Sequence, residues 1–259
     1  MPTFTPGVVP ADGLTEHRYF HVIGSSVYVS DDNEIGPSAA HFIGMLDGVG
    51  LWAVDVPKDE DPSDGAALDL FSMFARVSEE EWSAAGRAVQ IAEWARTHKF
   101  CGRCGTPTEA QSHERAMKCP SCAMLAYPRL APAMITLVTR GEPGRDQQAL
   151  LARGVQFRGP MYSCLAGFVE PGETMEGAVV REVMEEVGVV VGNVRYQSSQ
   201  PWPFPHSLMV GFRADWVSGD IVCDPTEILD AQWYTRDSIP NIPPKISIAR
   251  KLIDGWLLS

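Results

Sequence analysis

Glu182, Glu185 and Glu186 stand at i, i+3 and i+4 in a stretch where Val180, Val183, Met184 and Val187 repeat at helical spacing. On one helix the three carboxylates share a stripe beside the face that those four apolar residues predict as buried. Like charges four residues apart destabilise a helix by about 0.2–0.5 kcal/mol. Over 170–186 the glutamates at 170, 173, 176, 182, 185 and 186 meet a single basic residue, Arg181, whereas a merely solvated face mixes its signs. A divalent cation such as Mg2+ or Mn2+ relieves the repulsion, because these hard ions take carboxylate oxygens and substrate phosphates together. Arg181 has two partners within reach, Glu185 one turn on and Glu173 in the preceding loop. Pro171 and Gly172 build a turn, Thr174 caps the helix that follows, and Gly188 fits its left-handed stop.

A second set of ligand-type residues lies upstream. Cys101, Cys104, Cys119 and Cys122 form C-x2-C-x14-C-x2-C, and two such knuckles converge on a tetrahedral zinc ion. Four thiolates leave no open coordination position, so this zinc is structural rather than catalytic. The alternative, two disulfides, belongs to an oxidising compartment. Lys99, Arg103, Arg115, Lys118 and Arg129 surround the cluster against Glu109 and Glu114, a balance that tolerates phosphate and also suits a nucleic-acid-binding ribbon. Cys164 and Cys223 fall outside the pattern and read as small apolar residues.

Downstream of the glutamates, the run 199–207 (SQPWPFPHS) alternates Pro201, Pro203 and Pro205 with Trp202 and Phe204. Fixed proline φ angles predict a rigid extended loop, and Ser199, Gln200, His206 and Ser207 supply groups that orient a ligand. An ordinary Pro-rich connector with core aromatics is the plain alternative.

These groups need a scaffold. Segments 20–30, 50–56, 131–139, 148–153 and 207–218 read as strands, and 82–98, 176–187 and 246–257 as helices. Residues 57–65 read as a loop. Within 82–98 the spacing of Ala85, Ala88, Ile91, Ala92 and Ala95 predicts the buried face. Residues 1–98 carry no chemistry-bearing motif and read as a structural or dimerisation domain, 99–127 as a zinc ribbon, and 128–259 as the domain of the acidic helix. No internal repeat is visible. With 45% apolar and 21% charged residues the composition is that of a soluble globular protein, and the net charge of −12 argues against broad nucleic-acid binding. No apolar run reaches membrane-spanning length and the start lacks a signal pattern, so a cytoplasmic protein with no membrane association is expected.

Residues 167–189 also fill every fixed position of G-x5-E-x7-R-E-U-x-E-E-x-G-U, with U apolar. In this the chain resembles the Nudix hydrolases. The run SQPWPFPxS and the four-cysteine ribbon ahead of the box are similar to the NADH pyrophosphatase branch of that family. The resemblance implies an α+β chain: a Nudix α/β/α sandwich with a mixed sheet, preceded by the ribbon and an N-terminal α+β domain. It implies Mg2+- or Mn2+-dependent hydrolysis of NADH or NAD+ to nicotinamide mononucleotide and AMP, removal of NAD caps from RNA 5′ ends, and a homodimer. It implies that Glu182, Glu185 and Glu186 are catalytic, and that Glu182, Glu186, Glu227 and the backbone carbonyl of Ala166 hold the catalytic metal. It further implies substrate contacts from Glu114, Tyr127, Phe168, Gln200, Pro201, Trp202, Pro203, Phe204, Pro205, His206, Ser207 and Ala249. Rival readings are a pyrophosphatase for ADP-ribose or diadenosine polyphosphates, and a zinc-ribbon nucleic-acid-binding regulator with an inactive Nudix domain. The regulator expects decayed box glutamates, and none is decayed here.

Overall fold

The computed structural model describes residues 3–31, 40–61, 63–157 and 159–259; Met1, Pro2 and Pro62, which enter the readings of the chain start and the 57–65 loop, lie outside them. The chain divides into two compact units, Met1–Arg129 with Pro203–His206, and Leu130–Trp202 with Ser207–Ser259. No helix among the described residues is long and apolar enough to cross a membrane.

The first unit holds β1 (Phe4–Pro6), β2 (His17–Ile23), β3 (Ser26–Ser30), β4 (Ala40–Leu46), β5 (Val49–Val56) and β6 (Leu68–Asp69), then α1 (Leu70–Phe74) and α2 (Glu79–Thr97). The strands form one sheet in the order β1-β4-β5-β2-β3-β6, with β2 and β5 parallel. The segment 20–30 is two strands, because Gly24 takes φ +65° and turns the chain. α2 begins earlier than its apolar spacing predicts, since Ser78 and Glu81 form a capping box. Its alanines and Ile91 are buried as expected, and Arg96 ties the helix to β5 through Asp55 at 2.6 Å. The ribbon follows as a small antiparallel sheet, β7 (Glu109–Ala110), β8 (Met117–Lys118) and β9 (Leu125–Ala126).

The second unit holds β10 (Ala131–Arg140), β11 (Gln148–Gly154), β12 (Leu165–Phe168), α3 (Met175–Val187), β13 (Val190–Trp202), β14 (Ser207–Ser218), β15 (Ile228–Tyr234) and α4 (Ile248–Leu257). The sheet order is β13-β14-β10-β11-β15, with β12 paired to β10 and a parallel pair at β10 and β14. Side chains alternate across it. Met134, Val138, Leu150 and Ala152 pack with Ala178, Val179, Val183 and Val187 of α3. Ile135, Leu137, Ala149 and Leu151 pack with Ile248, Leu252, Ile253 and Trp256 of α4. The result is the expected α/β/α sandwich, in which each fully buried aliphatic side chain contributes about 1.5–3 kcal/mol. α4 starts at Ile248 rather than 246, capped by the Ser247 hydroxyl.

The two sheets share a path that the sequence does not reveal. Each has an antiparallel pair, β4 with β5 or β13 with β14, whose second strand runs parallel to β2 or β10. Each continues antiparallel through β3 and β6, or β11 and β15, and each is followed by a helix that packs on it, α2 or α4. Chain order is preserved throughout, so the molecule contains a structural repeat. Among the described residues, the second copy alone has a strand and helix, β12 and α3, between its second and third shared strands.

Candidate active site

The acidic helix is held at both ends as its sequence predicts. Thr174 Oγ1 accepts the Gly177 N–H at 3.0 Å, and Gly188 closes the helix at φ +70°. Its buried face differs from the expected one. Ala178, Val179, Val183, Glu186 and Val187 face the sheet, while Val180 and Met184 are 40% and 42% exposed. At about 100° per residue the stripe through 179, 183 and 186–187 turns 180 and 184 outward, and a glutamate takes a place in the core face.

Glu186 is 7% exposed, and its Oε2 is buried without a hydrogen-bond partner. Burial, helped by the charges of Glu182 and Glu227, pushes its carboxyl up to about 8. A buried carboxylate oxygen with no donor is costly, and a cation is the partner that restores it.

Glu182 lies over β12. A Cβ built on Gly167 would fall 2.0 Å from Glu182 Cδ, so only glycine leaves room for this carboxylate against the strand. The neighbouring Ala166, whose carbonyl is the backbone candidate ligand, is exposed. Burial raises the Glu182 carboxyl, and Arg181 opposes that shift. Arg181 takes both expected partners and more. It donates to Glu173 at 2.6 and 2.8 Å, to Glu182 at 2.8 Å, to Glu185 at 3.0 Å and to the Phe168 carbonyl at 2.9 Å. Those bonds, with the Glu170 N–H, hold the Glu173 carboxyl down at about 2. Glu185 stays 59% exposed at its side chain.

Glu227 comes from a turn tied to the end of α3. Asp224 N–H donates to the Glu186 carbonyl and Val222 N–H to the Val187 carbonyl, both at 2.9 Å. The Asp224 carboxylate takes the Thr226 N–H and hydroxyl, and the Glu227 carbonyl accepts from Val155. Glu182, Glu186 and Glu227 thus act on one another by charge. Their carboxylates are not drawn together as the cysteine thiols are: the four Sγ atoms form the one group of such ligand atoms within 4.8 Å of one another among the described residues. The orphaned Glu186 oxygen, the Gly167 cradle and an all-oxygen donor set fit a hard divalent cation.

The ribbon is built for zinc. All six cysteines are free, and the Cys101–Cys122 and Cys104–Cys119 sulfurs are 3.5 Å apart, which excludes disulfides. A tetrahedron with Zn–S of 2.3 Å has S···S near about 3.8 Å, close to these spacings. The N–H groups of Arg103 and Cys122 donate to the Cys101 and Cys119 sulfurs at 3.4 Å. Cys164 lies in the core, its thiol pushed up to about 12 by burial.

The run 199–207 departs from the extended loop expected of it. Residues through Trp202 belong to β13, 203–206 form a turn, and Trp202 pairs with Ser207 across a hairpin. Pro201 is accommodated because β13 is an edge strand, where a missing N–H leaves no ladder bond unmade. Gln200 is occupied structurally: its amide donates to the Ile246 carbonyl at 2.7 Å and accepts the Ile248 N–H at 2.8 Å, fixing the start of α4. Ser207 and Ala249 are buried, at 6% and 1% exposed. Pro203 is buried, Pro205 is exposed, and Trp202, Phe204 and His206 are half-buried. Phe168 and Tyr127 are 58% and 54% exposed, ring faces open to stacking, and the Tyr127 hydroxyl donates to Glu114 at 3.2 Å. The roles of Gly167 as cradle and Asp224 as tether were missed; the first was visible only as a fixed box position.

Family descriptions match in three stretches: NADH pyrophosphatase-like rudimentary NUDIX domain over 27–94, NADH pyrophosphatase zinc ribbon domain over 96–124, and NUDIX domain over 129–255. The chain is 48% identical over 219 residues to the NAD-capped RNA hydrolase NudC of Pseudomonas aeruginosa, covering 85% of this chain and 77% of that one. It belongs to the NADH pyrophosphatase branch of the Nudix hydrolases. The NAD-capped RNA hydrolase NudC of Deinococcus radiodurans is 47% identical over 198 residues, 76% of this chain and 70% of its own. A crystal structure of a Nudix hydrolase from Nitrosomonas europaea is similar over 62% of this chain and 90% of that one, at 22% identity and a TM-score of 0.49. In this Nudix hydrolase the four ribbon thiolates hold a structural zinc, and the rudimentary domain falls on the first sheet, whose described residues include no counterpart of β12 and α3.

Proposed function

We propose that this Nudix hydrolase cleaves the pyrophosphate of NADH and NAD+ to nicotinamide mononucleotide and AMP, and removes NAD caps from the 5′ ends of RNA. The observation that carries the reading is the buried, unpartnered Glu186 oxygen beside the charges of Glu182 and Glu227, in a chain so similar to two NAD-capped RNA hydrolases. Glu182, Glu186, Glu227 and the Ala166 carbonyl are the residues that hold Mg2+ or Mn2+, with Glu185 at the edge of the set. When bound, the ions neutralise charge on the pyrophosphate and lower the pKa of the attacking water. Arg181 keeps Glu182, Glu173 and the Phe168 carbonyl in place while substrate enters.

Phe168, Tyr127, Trp202 and Phe204 are read as ring faces for nicotinamide or adenine, and Glu114 as a polar contact on the base. Pro201, Pro203, Pro205, His206 and Ser207 shape the turn. Residues 1–98, 99–127 and 128–259 are taken as structural or dimerisation domain, zinc ribbon and Nudix hydrolase domain of a homodimer. A reducing, cytoplasmic setting suits a ribbon of free thiols.

The test is product identification by HPLC on NADH, NAD+, ADP-ribose, diadenosine polyphosphates and NAD-capped RNA, each with Mg2+ and with Mn2+. Nicotinamide mononucleotide and AMP from NADH are expected. Cleavage of ADP-ribose with NADH, NAD+ and NAD-capped RNA all left intact would overturn the substrate assignment.

A further inference from the structure

We infer that Phe71, in the N-terminal unit, is a positioning residue for the dinucleotide, holding Phe204 and with it the turn 203–206; the inference rests on the reading of that turn as part of the substrate site. The turn belongs to the same compact unit as α1 and α2. The Phe71 ring stacks on Phe204 with centroids 4.3 Å apart and planes at 22°. Phe71 is nevertheless 52% exposed, so it is not a core residue.

The support beneath it is rigid. Asp69 caps α1 by accepting the N–H groups of Phe71 and Ser72, both at 2.9 Å. The buried Trp82 indole of α2 donates to the Leu70 carbonyl at 2.7 Å and meets Phe74 edge to face. A second contact seats the turn from below. A Cβ built on Gly86 would lie 3.0 Å from Pro203 Cγ, so α2 comes as close to the turn as a residue without a side chain allows. Pro203 is buried. Phe204 thus has its angle set by a stack and its height set by a glycine. The N-terminal unit thereby acquires a function through the turn that it holds.

Steady-state kinetics on NADH with Mg2+ test this, with zinc content and unfolding midpoint as fold controls. Phe71→Ala and Phe71→Leu raise KM by about tenfold with kcat within about twofold, and Phe71→Tyr restores KM. Gly86→Ala favours the helix yet crowds Pro203, and it raises KM while leaving the fold intact. An unchanged KM in both Phe71→Leu and Gly86→Ala overturns the proposal, as does a Phe71→Leu enzyme indistinguishable from Phe71→Tyr. If the wild-type protein does not cleave NADH, the proposed function fails by itself. The mount is then read by hydrogen exchange at the Phe204 and His206 amides. Faster exchange in Phe71→Ala supports it, and unchanged exchange overturns it.

Discussion

The two sheets of this chain follow one path, yet among the described residues only the second carries the candidate metal-binding carboxylates. In the first, β3 passes to β4 through residues 31–39; in the second, β11 passes to β13 through residues 155–189, which hold β12, the Glu173 turn and α3. The helices α2 and α4 pack their sheets with apolar residues. α3 instead places Glu186 in its core-facing row, with one oxygen left without a partner. Among the described residues the first sheet forms without a counterpart of β12 and α3. The strand and helix of the candidate site are an addition to that shared path, and the fold absorbs the burial of an unpartnered carboxyl oxygen.

The largest way to break the contrast is at its centre. Glu186→Gln should lower kcat by about a thousandfold or more while raising the metal-free unfolding midpoint at pH 8, measured by product release and thermal melts. Near-normal turnover would remove Glu186 from the metal site. On the other sheet, Leu51 is 1% exposed, and Leu51→Ala should destabilise by about 2–5 kcal/mol with kcat of the folded protein within about twofold. A large loss of kcat there would erase the division between scaffold and chemistry. Gly167→Ala sharpens it from inside the insert. The added methyl displaces Glu182 without touching the core, so metal affinity should fall by about 10–100-fold, read by Mn2+ titration, with the melting curve unchanged.

The smallest effect is one of pH. The Glu186 carboxyl sits at about 8, above its ordinary value of 4.5, so its contribution to stability is fully present below 4.5 and fades as pH rises through 8. Added Mg2+ or Mn2+ should therefore raise the unfolding midpoint more at pH 8.5 than at pH 6, and Glu186→Gln should flatten the difference. Equal shifts at both pH values would assign the cation to other ligands.

The insert was the part most legible in the sequence, because caps, spacing and ligand types there are local. Thr174, Gly188 and the Arg181 pairs could be read from positions a turn apart. The four cysteines were legible for the same reason. What stayed hidden depends on partners far along the chain. Whether Val180 or Val179 faces inward is decided by the sheet, and the bonds of the Gln200 amide to Ile246 and Ile248 join positions far apart in the chain. The repeat escaped because topology is shared where side chains are not: α2 buries more alanines than any other residue, with Trp82 and Trp94, where α4 buries mostly larger aliphatic residues, Ile248, Leu252 and Ile253, with Trp256.

The edge of the catalytic sheet has a consequence for the protein in a crowded solution. β13 breaks register with β14 three times, carries Asn193 at φ +47°, and has no N–H to offer at Pro201. An open edge of regular backbone recruits further strands, from the same protein or another. This one presents no even row of donors and acceptors to copy, and the sheet that holds the catalytic insert is finished at that side rather than waiting to grow.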